Sequence, residues 1–371
     1  MFASFQTGKS MSRHLHRLSA LFLYALLLAL APYAAAQQAA ALLPNVRILA
    51  TGGTIAGTGA SSTTTIGYTA AKVGVEALIA AVPELKKVAN VGGEQVFQIA
   101  SESMTNAHWL LLAKRVNALL AQEDVDGIVI THGTDTIEET AYFLNLVVKS
   151  RKPVVIVGSM RPSTAISADG PINLYNAVIV AGSREAVGKG VLVVLNDQIN
   201  GARDVTKTNT STLDTFRSPE LGLLGYMQDN RAHFYRMSTR RHTLETEFDV
   251  GALDQLPAVD VVYSHANVSR VAIDAFVNAG DIGLVYAGVG DGSLAAQVRP
   301  ALTEARRKGV LIVRSSRVGQ GIVARNGEAN DDELDFIVSD TLNPQKARIL
   351  LMLALTKTRD SRQIQRMFYS Y

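Results

Sequence analysis

The sequence predicts an α/β protein with a larger N-terminal parallel-sheet domain, covered by helices on both faces, and a smaller C-terminal α/β domain. Three observations lead to this prediction. Short apolar runs alternate with stretches of helical periodicity, which is the pattern of parallel strands joined by helices. The alternation breaks between about Gly201 and Leu256 and then resumes in a shorter form. The chain of 371 residues is also long enough for two domains.

The predicted elements of the N-terminal domain follow the chain in order. Each strand is a short apolar run bounded by glycine, proline or polar residues. The predicted strands are residues 46–50, 95–99, 127–131, 153–157 and 191–195. Helices are predicted at about residues 106–122, 136–149 and 172–181, where apolar residues recur at helical spacing. Residues 201–256 are rich in Thr, Ser, Arg and Asp, which indicates a sheet extension followed by a linker.

The C-terminal domain repeats the alternation with shorter elements. Strands are predicted at residues 259–263, 282–287 and 310–313, and helices at about residues 272–279, 294–308, 344–355 and 362–368. We therefore predict an N-terminal domain over residues 45–237, a linker over residues 238–258 and a C-terminal domain over residues 259–371.

The excess positive charge lies in the first 36 residues. The chain has 36 Lys and Arg against 33 Asp and Glu, a formal net charge of +3. Residues 1–36 contain Lys9, Arg13 and Arg17 and no acidic residue, so the remainder is formally neutral. This excludes chain-wide basicity as a sign of nucleic-acid binding.

The same residues have the three parts of a secretory signal peptide. A basic stretch precedes an apolar run at residues 18–31, and an A-x-A cleavage pattern ends at Ala36. The alternative is a membrane anchor, but this run has about 14 residues and a span needs roughly 20. We predict residues 1–36 to be a signal peptide cleaved after Ala36, with either Met1 or Met11 as the start. Because the chain has no cysteine, the predicted compartment is the bacterial periplasm, with no membrane association after cleavage.

In open α/β sheets, ligands bind at the carboxyl ends of the strands, so the segments that follow the strands are candidate sites. The first strand is followed by TGGTIAGTG at residues 51–59, where glycines allow a sharp turn and Thr54 carries a hydroxyl. The glycine spacing does not fit a dinucleotide-binding turn, which argues against a nucleotide-dependent enzyme. Residues 58–67 are rich in Gly, Ser and Thr and end at Tyr68, which indicates either a closing lid or an ordinary surface loop.

A second polar cluster follows the third strand. Thr134 and Asp135 lie at the predicted start of a helix, where residues 135 and 136 could also be helix caps, although capping explains only one of these polar residues and not the whole cluster. Glu138 and Glu139 would favour the dipole of the first turn. His132 has no second His or Cys at ligand spacing, so we predict no metal site.

Two further clusters lie past strand ends. Ser101 and Glu102 follow the second strand, and Lys207 lies past the fifth. A lysine in a polar segment is, in isolation, usually just solvated. Hydroxyls, carboxylates and a lysine at strand ends suit either an enzyme or a periplasmic solute-binding protein.

Two motifs carry a family resemblance: ILATGGTIAG at residues 48–57 and GIVITHGTDTIEET at residues 127–140. Residues 160–177, 191–209 and 342–358 match as well. Over residues 45–371 the sequence resembles the bacterial type II L-asparaginases, and within them the periplasmic glutaminase-asparaginases. The resemblance implies hydrolysis of the side-chain amide of free L-asparagine and L-glutamine to L-aspartate or L-glutamate plus ammonia. No cofactor and no nucleic-acid partner are expected.

The resemblance also implies catalytic roles. Thr54 matches the nucleophile that forms a covalent acyl-enzyme, and Tyr68 matches the tyrosine that closes over it. Thr134, Asp135 and Lys207 match a second catalytic cluster. Which of the two clusters performs which step stays open.

Substrate-binding roles follow from the same resemblance. The matching residues are Ser101, Glu102, Thr134 and Asp135, together with Ser159 near the leaving amide and Ser293 and Glu328 from a neighbouring subunit. The implied assembly is a homotetramer of two tight dimers with shared active sites. Glu102 and Ser293 stand where the most asparagine-selective members carry glutamine and asparagine, which favours use of both amides. An enzyme restricted to L-asparagine is the alternative.

Overall fold

The computed structural model describes residues 43–371. The predicted signal peptide and its cleavage site lie outside the described residues. Two separate sheets organise the described part, a larger one within residues 45–234 and a smaller, parallel one within residues 259–338. The predicted fold class is confirmed.

The first ten strands form the larger sheet and a two-stranded ribbon. They are β1 (Asn45–Gly52), β2 (Asn90–Ile99), β3 (Gly127–Thr131), β4 (Val154–Val157), β5 (Val191–Leu195), β6 (Gln198–Gly201), β7 (Thr206–Lys207), β8 (Phe216–Arg217), β9 (Gly225–Gln228) and β10 (Arg231–Phe234). The larger sheet has the order β10-β9-β6-β5-β4-β3-β1-β2, and β7 pairs with β8 in the ribbon. Strands β1 to β5 run parallel, whereas β6, β9 and β10 are antiparallel and supply the predicted sheet extension.

Helices cover both faces of this sheet. They are α1 (Val75–Ala80), α2 (Asn106–Leu120), α3 (Ile137–Val147) and α4 (Gly170–Gly182). Ile128 and Ile130 of β3 pack into the core that holds α2 and α3, whereas Val129 packs into the core that holds α1 and α4. Both faces are therefore buried, which explains why the central strands read as continuous apolar runs.

The start of β2 and the whole of α1 escape the sequence prediction for related reasons. β2 begins at Asn90, earlier than the predicted residue 95, because Gly92 and Gly93 interrupt the apolar pattern. A Cβ on Gly93 would lie only 2.7 Å from Ile79 and 2.8 Å from Val75. The missing side chain lets α1 pack directly against the strand.

The smaller sheet is parallel and has four strands in chain order. They are β11 (Val259–Tyr263), β12 (Gly283–Gly288), β13 (Leu311–Ser316) and β14 (Ile337–Val338). The accompanying helices are α5 (Val271–Ala279), α6 (Arg299–Arg307), α7 (Asp331–Leu334), α8 (Pro344–Ala354) and α9 (Ser361–Ser370). The predicted helix at residues 294–308 is too long, because α6 begins only at Arg299. Pro300 lies in its first turn, where the backbone N–H groups have no partner within the helix and a proline is therefore tolerated.

Helix α8 belongs to the core of both sheets. Ile349 of α8 lies in one apolar cluster with Leu144 of α3 and Val285 of β12. The first turn of α8 lies close to the first turn of α3, the helix that follows β3, because Asn343 just before α8 is hydrogen-bonded to Glu138 of α3. None of the helices within residues 43–371 is long and apolar enough to cross a membrane.

Candidate active site

A cavity of about 580 Å³ lies at the carboxyl ends of β1, β2 and β3. It brings together seven residues that the sequence singles out: Thr54, Tyr68, Ser101, Glu102, Thr134, Asp135 and Lys207. Lining residues that the sequence interpretation missed are Met160, Arg161, Thr210 and Ser211. Parallel strands end at one edge of a sheet, so segments distant in sequence deliver their side chains to a single site.

Thr54 is held against the phenol of Tyr68. Thr54 begins a short 3-10 turn after β1 and is buried, and its Oγ1 lies 2.7 Å from Tyr68 Oη. The loop between them is closed by two backbone hydrogen bonds that join Thr58 and Thr69. Its tip is open to solvent, with Ile66 81% exposed. A loop tied at its base and exposed at its tip fits a lid and an ordinary surface loop alike, so both interpretations stay open.

Two glycines let the turns after β1 and β3 meet. Gly53 has a φ of 79°, and a Cβ on it would lie 2.3 Å from the Cα of Gly133. A Cβ on Gly133 would lie 2.5 Å from Ser101 Oγ. Neither position accepts a side chain without a shift of its surroundings, so this close approach depends on glycine.

Lys207 is bonded inside the cavity and is not a free, solvated lysine. Its Nζ donates to Thr134 Oγ1 at 3.0 Å and to Asp135 Oδ1 at 2.6 Å. Its side chain is 17% exposed, and that of Asp135 is 59% exposed. The residue before α3, Thr136, makes no side-chain capping bond, and Asp135 faces the lysine. The helix-cap alternative is therefore wrong for both side chains.

Ser101 joins the ends of β2 and β3. Its buried Oγ accepts from the backbone N–H of Asp135 at 3.2 Å, and Thr136 Oγ1 donates to its carbonyl at 2.9 Å. The neighbouring Glu102 is exposed and lines the cavity. Carboxylates suit a ligand ammonium and hydroxyls suit a ligand carboxylate, so this wall fits the two ends of an amino acid.

His132 is buried and structural. Its Nδ1 lies 2.8 Å from the carbonyl of Gly133 and must donate to it, so Nε2 accepts from Thr140 Oγ1 at 2.9 Å. Trp109 Nε1 donates to the same hydroxyl. Burial lowers the pKa of His132 to about 4, so the ring is neutral near pH 7. Over the described range 43–371, no group of three His, Cys, Asp or Glu could hold a metal ion.

Three predicted site residues do not line this cavity. The side chain of Ser159 is buried, and its hydroxyl donates to the carbonyl of Arg161 at 2.7 Å. Ser293 and Glu328 lie on loops of the smaller sheet, where Ser293 Oγ donates to Glu328 Oε2 at 3.1 Å. Within one chain these two residues form a pair of their own.

Glu138 has more partners than the dipole interpretation provides. It is buried and accepts hydrogen bonds from β7 and from Asn343. A sequence signal exists, because Glu138 lies three and four residues before Ala141 and Tyr142 on the buried face of α3. A carboxylate on that face requires partners, which the sequence alone does not identify.

Two of the buried hydroxyls that line the cavity, those of Thr54 and Thr134, are thus bonded to ionisable side chains. Such hydroxyls suit nucleophilic chemistry on a small polar substrate.

Comparisons with known proteins match the chain to one family. The family model described as "Asparaginase, N-terminal" matches residues 45–240, and that described as "Glutaminase/Asparaginase C-terminal domain" matches residues 258–368. The chain is 59% identical to L-asparaginase 2 of Bacillus subtilis, over 89% of this chain and 87% of that protein. It is 56% identical to the glutaminase-asparaginase of Pseudomonas fluorescens biotype A, over 89% of this chain and 91% of that protein. It is 50% identical to the probable periplasmic L-asparaginase of Haemophilus influenzae, over 90% and 94%.

The fold, the strand-end cavity and these matches together define an amidohydrolase. The chain belongs to the asparaginase family, whose N-terminal model alone covers more than half of it. The resemblance inferred from the two motifs is confirmed.

Proposed function

We propose that this enzyme hydrolyses the side-chain amides of free L-asparagine and L-glutamine and releases ammonia. The observation that carries the proposal is the pair of hydroxyls in one cavity, Thr54 at 2.7 Å from Tyr68 and Thr134 at 3.0 Å from Lys207. The names of the relatives supply the substrate class.

Thr54 is the proposed nucleophile. Its Oγ1 attacks the side-chain carbonyl carbon, the C–N bond breaks, and the hydroxyl proton leaves with the ammonia. Water then hydrolyses the acyl-enzyme and returns the proton to Thr54. Tyr68 and the group Thr134, Asp135 and Lys207 assist these proton transfers. Mass spectrometry of rapidly quenched reactions tests the mechanism: an adduct of one acyl group on the peptide that contains Thr54 is expected, and an adduct at Thr134 would reassign the nucleophile.

The substrate is clamped at both ends. Glu102 and Asp135 take the α-ammonium, and Ser101 with the Thr134 segment takes the α-carboxylate. Such a clamp fixes the position of the reacting carbonyl, which lowers the barrier through orientation. Because the hydroxyl of Ser159 is already bonded to Arg161, its proposed contact with the leaving amide comes from its main chain.

Ser293 and Glu328 complete the site from a neighbouring subunit in a homotetramer of two tight dimers. The support is that they pair with each other outside the cavity of their own chain. The test mixes two inactive variants, Thr54→Ala and Glu328→Ala, after dissociation and reassembly. Recovered ammonia release indicates shared sites, whereas mixed assemblies without activity refute them.

Use of both amides is the proposed specificity, and restriction to L-asparagine is the alternative. Glutamine is one methylene longer, and one methylene is worth only about 1–3 kcal/mol of discrimination. The small Ser293 side chain leaves room for that methylene. Kinetic constants for the two amides, measured side by side, decide between the alternatives.

We also propose export to the periplasm with cleavage after Ala36, and no nucleic-acid or membrane partner for the mature chain. The word periplasmic in the name of the Haemophilus relative supports the compartment. N-terminal sequencing of the protein from a periplasmic fraction tests it. We propose domains over residues 45–237 and 259–371 with a linker at 238–258, and the matched ranges 45–240 and 258–368 support this division.

The deciding experiment is ammonia release by the purified protein with each amide. Tight binding of amino acids without ammonia would instead make it a solute-binding protein.

A further inference from the structure

We propose that Glu138 is a positioning residue for Lys207, and that it anchors the lysine-bearing strand β7 to the first turn of α8. The inference rests on the proposed function in one respect, since it takes Lys207 as part of the catalytic machinery. Glu138 does not line the cavity and acts through other residues.

One carboxylate oxygen of Glu138 holds β7. Oε1 accepts from Thr206 Oγ1 at 3.0 Å and from the backbone N–H of Lys207 at 3.4 Å. Strand β7 consists of these two residues and pairs only with the two residues of β8. A ribbon of two such short strands has little stability on its own. The direction of the Lys207 side chain therefore depends on contacts that β7 makes outside the ribbon.

The other oxygen reaches the C-terminal part of the chain. Oε2 accepts from Asn343 Nδ2 at 2.9 Å and lies 3.9 Å from Lys346 Nζ. Asn343 is in turn the N-cap of α8, because its Oδ1 accepts from the backbone N–H of Lys346. Glu138, Asn343 and Lys346 are all buried, so this link is shielded from water.

Lys346 holds the same segment from a second direction. Its Nζ donates to the carbonyl of Arg203 at 2.8 Å and to that of Val205. Burial lowers the pKa of Lys346 to about 8, and the nearby Glu138 carboxylate opposes that shift. The buried carboxylate and ammonium therefore stabilise each other, and both form hydrogen bonds with residues 203–207.

This arrangement is more than a stabilising contact. Buried ion pairs can often be replaced by apolar residues with little loss of stability, so stability alone does not require a glutamate here. The carboxylate oxygen lies where the backbone N–H of Lys207 and the hydroxyl before it converge. The carboxylate thereby fixes the backbone of β7 at Lys207. The lysine side chain extends from that backbone to Thr134 and Asp135.

The test compares Glu138→Gln with Asn145→Ala. Asn145 lies two turns further along the same helix, and its buried Oδ1 accepts from the backbone N–H of Val191 at 2.9 Å. Each change removes one buried acceptor oxygen from α3, but only Glu138 is hydrogen-bonded to β7. We expect Glu138→Gln to lower kcat at least about tenfold and to leave KM within about threefold, since no residue of the substrate clamp is itself changed. We expect Asn145→Ala to leave both constants within about twofold.

A second variant keeps the test decisive if Glu138→Gln fails to fold. Thr206→Val removes only the hydroxyl bonded to Oε1, and we expect a drop in kcat of about threefold with KM unchanged. Where both fold, the double variant should lose no more than Glu138→Gln alone, because each change already breaks the link from β7 through residue 138 to Asn343. A kcat for Glu138→Gln, or in its absence for Thr206→Val, equal to that of Asn145→Ala would overturn the inference. Wild-type protein without ammonia release would instead overturn the proposed function.

Discussion

The two hydroxyls of the cavity lie in contrasting surroundings. Thr54 meets Tyr68, which belongs to a loop with an exposed tip that is tied at its base by the bonds between Thr58 and Thr69. Thr134 meets Lys207, whose strand is held by buried partners from two other helices.

The difference separates an exposed loop from a part that buried partners hold in place. The loop of Tyr68 lines the cavity, and closure of such a loop over a substrate would exclude water from the reaction. A fixed position of Lys207 favours catalysis, because preorganised groups need no rearrangement when the reaction occurs. The buried network behind it serves that rigidity.

The largest expected effect is on the loop side, at the proposed nucleophile. Thr54→Ala should lower kcat by about two to four orders of magnitude, since it removes the attacking oxygen. Ammonia release under saturating substrate measures it. Thr63→Ala is the matched control, because Thr63 is an exposed threonine of the same loop that bonds only to Ser61. Retention of most activity by Thr54→Ala would remove it from the nucleophile role.

On the fixed side, the stability of the protein should depend on pH through His132. Its pKa is about 4 in the folded state, below the ordinary 6.5. Its contribution is therefore fully present above pH 6.5 and is lost as pH falls from 6.5 towards 4. The full loss is about 3 kcal/mol of unfolding free energy.

Urea unfolding at several pH values checks this contribution. His132→Gln removes the titrating ring and leaves the carboxyl groups that titrate in the same range. The wild type should lose more stability than this variant between pH 6.5 and 4. Parallel pH curves for the two proteins would show that His132 is not the source.

A third change tests the hydrogen bond that ties the loop to the nucleophile. Tyr68→Phe removes only the phenol oxygen at 2.7 Å from Thr54 and should lower kcat about ten- to a hundredfold. The retained ring still fills its place over the cavity, so the loss reports on the oxygen. Steady-state kinetics measures it, and Tyr226→Phe, at an exposed tyrosine remote from the cavity lining, serves as the control. Equal kcat values for the two variants would contradict a role for the phenol in proton transfer.

The smallest expected effect concerns the residues outside the cavity of their own chain. Ser293→Asn should lower kcat/KM for glutamine relative to asparagine about tenfold, since a larger side chain crowds the extra methylene. The ratio of kcat/KM for the two amides measures it. An unchanged ratio would refute the proposed role of Ser293 in specificity.

Much of the fold follows from local patterns. β3, β5 and β11 have the predicted bounds, because a fully buried parallel strand is an uninterrupted apolar run between polar turns. α1 and the first half of β2 do not, because their packing depends on Gly93, whose lack of a side chain weakens every local signal. The predicted helix at 294–308 is too long because residues 294–298 (LAAQV) are mostly good helix formers, so their local signal does not show that α6 begins only at Arg299.

The sequence by itself determined the fold class, the strand ends that carry chemistry and the family, because apolar periodicity and contiguous motifs are local properties. Only the tertiary structure decided which polar residues meet. Lys207 became a partner of Thr134 and Asp135 across some 70 positions of chain, and Glu138 became the link between β7 and α8. A solvated lysine and a bonded one, or a dipole-favouring glutamate and a buried acceptor, look alike in sequence. Burial and distance distinguish them, and both arise only when remote segments pack together.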